Sequence, residues 1–197
     1  MLANIAKTLG VANFWGLKKN DVVCDTLQGL PFAFEADRYM GTWFEIYHSK
    51  GEPFQPDSWA CTQATYTDLN PADGTFKVYN SSQDRLGGPR FGLNGDAKCP
   101  ATEAAGQCYV TFFSAPFADS TNYQVVDTDY ENYSLIYNCD ENDMQYLWMM
   151  SRGPTLSADL YNQMIATAKE KLPNYDFTQL IMDDQSESIC NWVKTDI

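Results

Sequence analysis

His48 and six cysteines, Cys24, Cys61, Cys99, Cys108, Cys139 and Cys190, are the residues with which this chain could do nucleophilic, redox or metal chemistry. Their number and spacing speak against it. There is one histidine, no Cys-x-x-Cys pair, and no serine or cysteine that the sequence would set beside His48. Neither a zinc site nor a nucleophile–base pair is therefore expected, and no cofactor is implied. A lone histidine of this kind is expected at the surface or on a rim. General acid–base work would need carboxylates brought together, and Glu45 and Asp127 are the two that strand alternation could turn inward. The even set of cysteines reads as disulfides, although spacing alone does not choose among the many pairings. Disulfides place the chain in an oxidising, extracytosolic compartment: secreted, or an organelle lumen such as the thylakoid lumen or intermembrane space.

Charge and composition narrow the partners. Lys and Arg number 13 against 26 Asp and Glu, so the net charge of −13 repels phosphate backbones, and no basic run suggests nucleic-acid binding. The 14% aromatic content, with 12 Tyr, 11 Phe and 5 Trp, is high for so polar a chain and suits the walls of a pocket. No apolar run approaches ~18 residues, the length a membrane-spanning helix needs. Residues 1–23 lack the continuous apolar stretch of a secretory signal, which fits a chain numbered after a removed leader. Leu2, Ile5, Leu9 and Ala12 fall near helical spacing and suit a short amphipathic helix on a protein or membrane surface; the plainer reading is a terminal extension.

These side chains must be held by strands. Between residues 42 and 152, aromatic and polar positions alternate in short runs broken by turn residues, the pattern of an antiparallel meander. The runs predict eight strands, near 42–49, 60–69, 75–81, 89–97, 107–114, 121–128, 133–139 and 144–152. Eight strands can close into an up-and-down barrel around one small ligand. Asp73-Gly74 marks a tight hairpin, since glycine accepts positive φ. The Pro- and Gly-containing segment 50–58 reads as a long loop. Beyond it, Leu156, Leu160, Met164, Ala168 and Leu172 recur every four residues between Ser157 and Pro173, predicting one C-terminal helix with a single buried face. A short strand near 176–181 should follow.

Three further pieces stand in order along this frame: Gly41-Thr42-Trp43, then Thr128-Asp129-Tyr130, then Arg152. With them the chain resembles the lipocalins, above all the branch of apolipoprotein D and the bacterial lipocalins, from about residue 24 to residue 190. The resemblance implies an all-β fold, an eight-stranded antiparallel up-and-down barrel with one α-helix packed outside, as a domain over residues 24–197 after an extension of residues 1–23. It implies that Arg152 covers the Trp43 ring at the closed end, and that segment 50–58 is a lid over the open end. It also implies the bridges Cys24–Cys139 and Cys61–Cys190. Cys99 and Cys108 then remain to staple the ends of a hairpin loop, an addition to the family pattern.

One anchor per strand assigns the inner wall, because strand side chains alternate. Arg152 must reach Trp43, so Met150, Trp148 and Tyr146 share its side, while Leu147 and Met149 face the helix. With Lys77 outside, Phe76, Val78 and Asn80 point in. By likeness to the family, Tyr66, Val110, Phe112, Tyr123 and Tyr137 join them, and Trp148 and Asn80 match pocket residues. Such a lining suits a mostly apolar ligand with a polar end: fatty acids, sterols, retinoids, carotenoid fragments or tetrapyrroles. The lipocalin enzymes use a free cavity thiol or cavity carboxylates, so the chain is expected to bind and transport or sequester without catalysis. The alternative is a non-catalytic interaction subunit of a larger, membrane-associated assembly, attached through residues 1–23 or the Gly87-Gly88-Pro89 region.

Overall fold

A computed structural model describes residues 23–52, 55–140 and 142–192. The amphipathic pattern of residues 1–23 lies outside them, apart from Val23. Strands β1 (Gly41–Ser49), β2 (Trp59–Asn70), β3 (Thr75–Asp84), β4 (Phe91–Lys98), β5 (Gln107–Phe112), β6 (Tyr123–Thr128), β7 (Tyr133–Cys139) and β8 (Gln145–Ser151) follow one another in sequence. Each pairs antiparallel with the next, and β1 pairs with both β8 and β2, so the sheet closes on itself. The ninth strand, β9 (Leu180–Met182), lies outside the barrel against β1.

Most boundaries match the expected runs, and the departures have local causes. β5 stops at Phe112 because Phe113 and Ser114 take positive φ, 58° and 55°, which breaks the pleat. β9 begins only at Leu180 because Asp176 caps a single 3-10 turn over Phe177–Gln179, accepting from the Thr178 N–H. A four-residue helix, α1 (Ala36–Tyr39), was not expected; it is too short to show a helical period. Gly41, which opens β1, has φ 92° and lets the chain turn from α1 into the barrel. Gly74 has φ 72°, and a Cβ there would sit 2.5 Å from the Cys99 carbonyl oxygen.

The helix α2 (Ala158–Lys171) is capped by Ser157, whose side chain accepts from the Leu160 N–H. Its stripe of Met164 and Ala168, continued by Leu172, is fully buried against Val126, Leu135, Leu147 and Met149 on the outer face of the barrel. A second core fills the lower interior: Tyr39, Trp43, Phe76, Ala97, Val125 and Ile136. Cys24–Cys139, Cys61–Cys190 and Cys99–Cys108 are all bridged. The three bridges fit an extracytosolic compartment.

Candidate functional site

The closed end shows why the three sequence pieces belong together. Arg152 lies over the Trp43 ring at 3.7 Å from its centroid. Its guanidinium donates to the Tyr130, Thr42 and Arg38 carbonyls at 3.0, 3.1 and 2.8 Å. The Tyr130 carbonyl is presented by a turn that Asp129 organises, its Oδ1 accepting from the backbone N–H groups of Glu131, Asn132 and Tyr133. Burial lowers the Arg152 pKa against the opposing pull of nearby phenols.

On the inner side of this plug stands a chain of phenols. Tyr39, at the end of α1, anchors Trp43 by accepting its indole N–H at the backbone carbonyl, 2.9 Å away. Its hydroxyl shares hydrogen bonds with Ser134 Oγ at 2.6 Å and Tyr123 Oη at 2.9 Å, and Tyr123 Oη bonds Tyr66 Oη at 2.9 Å. Burial pushes the Tyr39 phenol up to about 12 and raises those of Tyr66 and Tyr123 as well. These groups are therefore neutral hydroxyls at any ordinary pH. Tyr39 was invisible in the sequence because it precedes the barrel in an element with no periodic signal.

Above Tyr66 and Tyr123 the barrel opens into a cavity of about 650 Å³. Tyr66, Val78, Asn80, Val110, Phe112, Tyr123, Tyr146 and Trp148 all line it, as expected from alternation and likeness. Trp148 and Tyr146 stack with ring centroids 6.0 Å apart.

Two expected lining residues are elsewhere. Phe76 points into the barrel but packs edge-on to Tyr66, with centroids 5.6 Å apart, in the filled lower half beneath the cavity. Tyr137 faces outward. It is paired in register with Leu147, and residues directly opposite on neighbouring strands share a face, so it joins the helix-side core. Its hydroxyl accepts from the Asp25 N–H at 3.1 Å and donates to Gln145 Oε1 at 2.8 Å, while burial lifts its pKa to about 12. Asn138, one residue on, takes the cavity position. The run Tyr133–Tyr137 is buried on both faces, so it carries no polar marker from which to count.

His48 is likewise corrected: it is fully buried rather than on the surface. The pairing of β1 with β8 slips between Glu45 and Tyr47, a bulge at Ile46 that changes the parity of the strand. Tyr47 then faces α2 and Tyr161, while His48 lies on the side of Glu45, its Nδ1 2.8 Å from Glu45 Oε1. From the loop after β1, Gln55 donates to Glu45 Oε1 at 2.5 Å and to Thr62 Oγ1 at 3.2 Å. Asp183 accepts from the Thr62 N–H at 2.8 Å, and Gln185 ties Asp183 to the Glu45 and Thr62 carbonyls. Burial, reinforced by the Glu45 charge, lifts Asp183 to about 7. Burial alone would lower His48, but the hydrogen bond and charge of Glu45, with the charge of Asp183, outweigh it and raise its pKa. Glu45, Gln55 and Thr62 line the cavity. Asp127 does not; it accepts from Tyr133 Oη at 2.7 Å, away from the cavity. Among the described residues no group of histidine, cysteine and acidic side chains could hold a metal ion.

A family model described as a lipocalin-like domain matches residues 34–185. The sequence is 34% identical over 159 residues to temperature-induced lipocalin-1 of Arabidopsis thaliana, covering 77% of this chain and 80% of that protein. It is 28% identical over 159 residues to apolipoprotein D of Rattus norvegicus, covering 78% of each. Among solved structures it is similar to insecticyanin of the tobacco hornworm Manduca sexta, with a TM-score of 0.70 and 23% identity over 86% of this chain and 90% of that one, a likeness of fold.

Proposed function

This chain belongs to the lipocalin family, and from that premise we propose that it encloses a small, mostly apolar molecule for transport, storage or sequestration, without catalysis. The observation that carries this reading is the cavity of about 650 Å³, sealed below by Tyr39, Trp43 and Arg152 and walled by Val78, Val110, Phe112, Tyr146 and Trp148. That volume lies within the range of small-molecule pockets, and the few polar groups among aromatic walls are what orients an amphiphile. All six cysteines are bridged, which leaves no thiol for covalent chemistry. We place the binding domain at residues 24–197, in a secreted or lumenal setting.

Native mass spectrometry on protein from its original source, looking for a retained small molecule, tests the reading directly. Fluorescence titration with lipophilic probes is the second arm. Saturable quenching that Trp148→Phe weakens supports the cavity; no quenching by any probe and no retained ligand would refute it.

A further inference from the structure

The floor of the cavity is made of hydroxyl groups whose hydrogens can be counted. Four hydroxyls form one chain: Ser134 Oγ meets Tyr39 Oη at 2.6 Å, Tyr39 Oη meets Tyr123 Oη at 2.9 Å, and Tyr123 Oη meets Tyr66 Oη at 2.9 Å. Each hydroxyl carries one hydrogen, so four hydrogens serve three bonds and one is left over at an end of the chain. Distances do not say which end, because either oxygen of each pair could donate.

The surroundings of the two ends decide it. Ser134 is fully buried and does not line the cavity, and among the described residues its hydroxyl has no partner but Tyr39. A hydrogen left there would be a buried donor with neither water nor protein to accept it. Tyr66 and Tyr123, in contrast, line the cavity. The chain therefore runs one way: Ser134 donates to Tyr39, Tyr39 to Tyr123 and Tyr123 to Tyr66, and the Tyr66 hydrogen is left for whatever the cavity holds. Burial keeps all three phenols protonated, so that hydrogen is always present. Hydrogen bonds in series polarise one another, which makes the last O–H a stronger donor than a lone phenol.

The polar groups of the walls do not choose so sharply. Asn122 is engaged by both the N–H and the carbonyl of Val110, and Gln55 donates to Glu45 and Thr62. Asn80 and Asn138 each have a carboxamide oxygen without a partner, but an amide both donates and accepts and so suits a polar group of either kind. Resting on the carrier reading above, we infer that Tyr66 orients the ligand by donating a hydrogen bond from the floor, so that the cavity takes apolar molecules whose inward end carries an acceptor oxygen, above all a carbonyl. The apolar remainder meets the aromatic walls of Phe112 and Trp148. A molecule with no acceptor at that end leaves the Tyr66 hydrogen unpaired.

The test uses fluorenone and fluorene, rigid molecules of one shape that differ by a carbonyl oxygen. Fluorenone labelled with carbon-13 at its carbonyl reports directly, because that NMR resonance moves downfield when the oxygen accepts a hydrogen bond. Bound to the wild-type protein it should lie downfield of its position in hexane. The double variant Tyr66→Phe/Tyr123→Phe, which removes both lining hydroxyls, should return it toward that position. Fluorenone affinity should then fall roughly two- to tenfold, the worth of one hydrogen bond, with fluorene little changed. Tyr66→Phe alone should act more weakly, since the Tyr123 hydrogen is then the one left over. In wild-type protein labelled at tyrosine Cζ, fluorenone should move the Tyr66 resonance more than fluorene does, which decides the matter if the double variant does not fold. A bound carbonyl at its hexane position, a downfield shift that survives the double substitution, or a Tyr66 resonance indifferent to the carbonyl would overturn the inference and leave the carrier reading standing. Failure of both compounds to bind would overturn both.

Discussion

Arg152→Met should destabilise the barrel without disturbing the cavity. The guanidinium makes three charged hydrogen bonds to the Tyr130, Thr42 and Arg38 carbonyls and lies 3.7 Å above the Trp43 centroid. Hydrogen bonds to a charged group contribute roughly 1.5–3 kcal/mol each, and a desolvated cation–π contact about 2 kcal/mol. These contributions are not additive, and one of the hydrogen bonds faces solvent. A loss of about 3–4 kcal/mol is therefore expected for Met, which leaves three carbonyls without their donor. Arg152→Lys should lose about 2 kcal/mol, because an ammonium keeps the charge but cannot span three carbonyls as a planar fork does. Guanidinium chloride unfolding with the disulfides intact, followed by far-UV circular dichroism, measures both. Affinity for a lipophilic probe should change less than twofold, since Tyr39, Tyr66 and Tyr123 separate the plug from the cavity. A loss below ~1 kcal/mol for Met, or equal stability of Lys and wild type, would refute the assignment of Arg152 as the clasp of the closed end.

Stability should fall as pH rises from about 4 to about 7. Asp183, lifted to about 7, and His48, also raised, both hold protons more tightly in the folded state than unfolded. The stability from Asp183 is complete below the ordinary carboxyl value and is lost as pH rises through about 7; that from His48 is complete below about 6.5 and is lost above it. Asp183→Asn should flatten this slope in thermal unfolding scans, whereas Asp73, Asp129, Asp176 and Asp184, with lowered pKa values, act in the opposite sense only below pH ~4. Removing Cys61–Cys190, which spans 129 residues, should cost about 5 kcal/mol on chain entropy, against about 2.5 kcal/mol for Cys99–Cys108, which spans 9; unfolding of the paired Ser variants ranks them. Tyr137→Phe should lower stability by roughly 1–3 kcal/mol, because the Asp25 N–H and Gln145 Oε1 lose their partner, and should leave probe affinity unchanged.

Most of the cavity wall was legible wherever a strand carried one unambiguous marker. Lys77 fixes β3, since an exposed ammonium puts Val78 and Asn80 inside; Arg152 does the same for β8, Trp148 and Tyr146. β7 has no such marker between Tyr133 and Tyr137, so only likeness put Tyr137 inside, and its register with Leu147 turns it outward. On β1 a lone histidine is expected at the surface or on a rim, but the bulge at Ile46 turns His48 to the side of Glu45, where it is buried. Bulges leave no periodic trace because one extra residue changes the pairing without changing the composition.

Sequence alone determined the strand count and the helix with its buried stripe; likeness added the plug of Trp43 and Arg152 and the bridges Cys24–Cys139 and Cys61–Cys190, which left Cys99 and Cys108 to pair. The strands and the helix follow from local alternation, turn chemistry and helical spacing, whereas the plug and the bridges are what the resemblance implied. Tertiary structure alone decided how far up the barrel the packing reaches: Phe76 is spent on filling the floor, whereas Tyr66 borders open space. It also decided which polar side chains share the cavity, because Glu45, Glu52 and Asp140 line it together only once the sheet has closed. Alternation tells which side of a sheet a residue occupies, but not its height along the barrel axis nor which distant side chains share that height, and both of those depend on the stagger of the closed sheet.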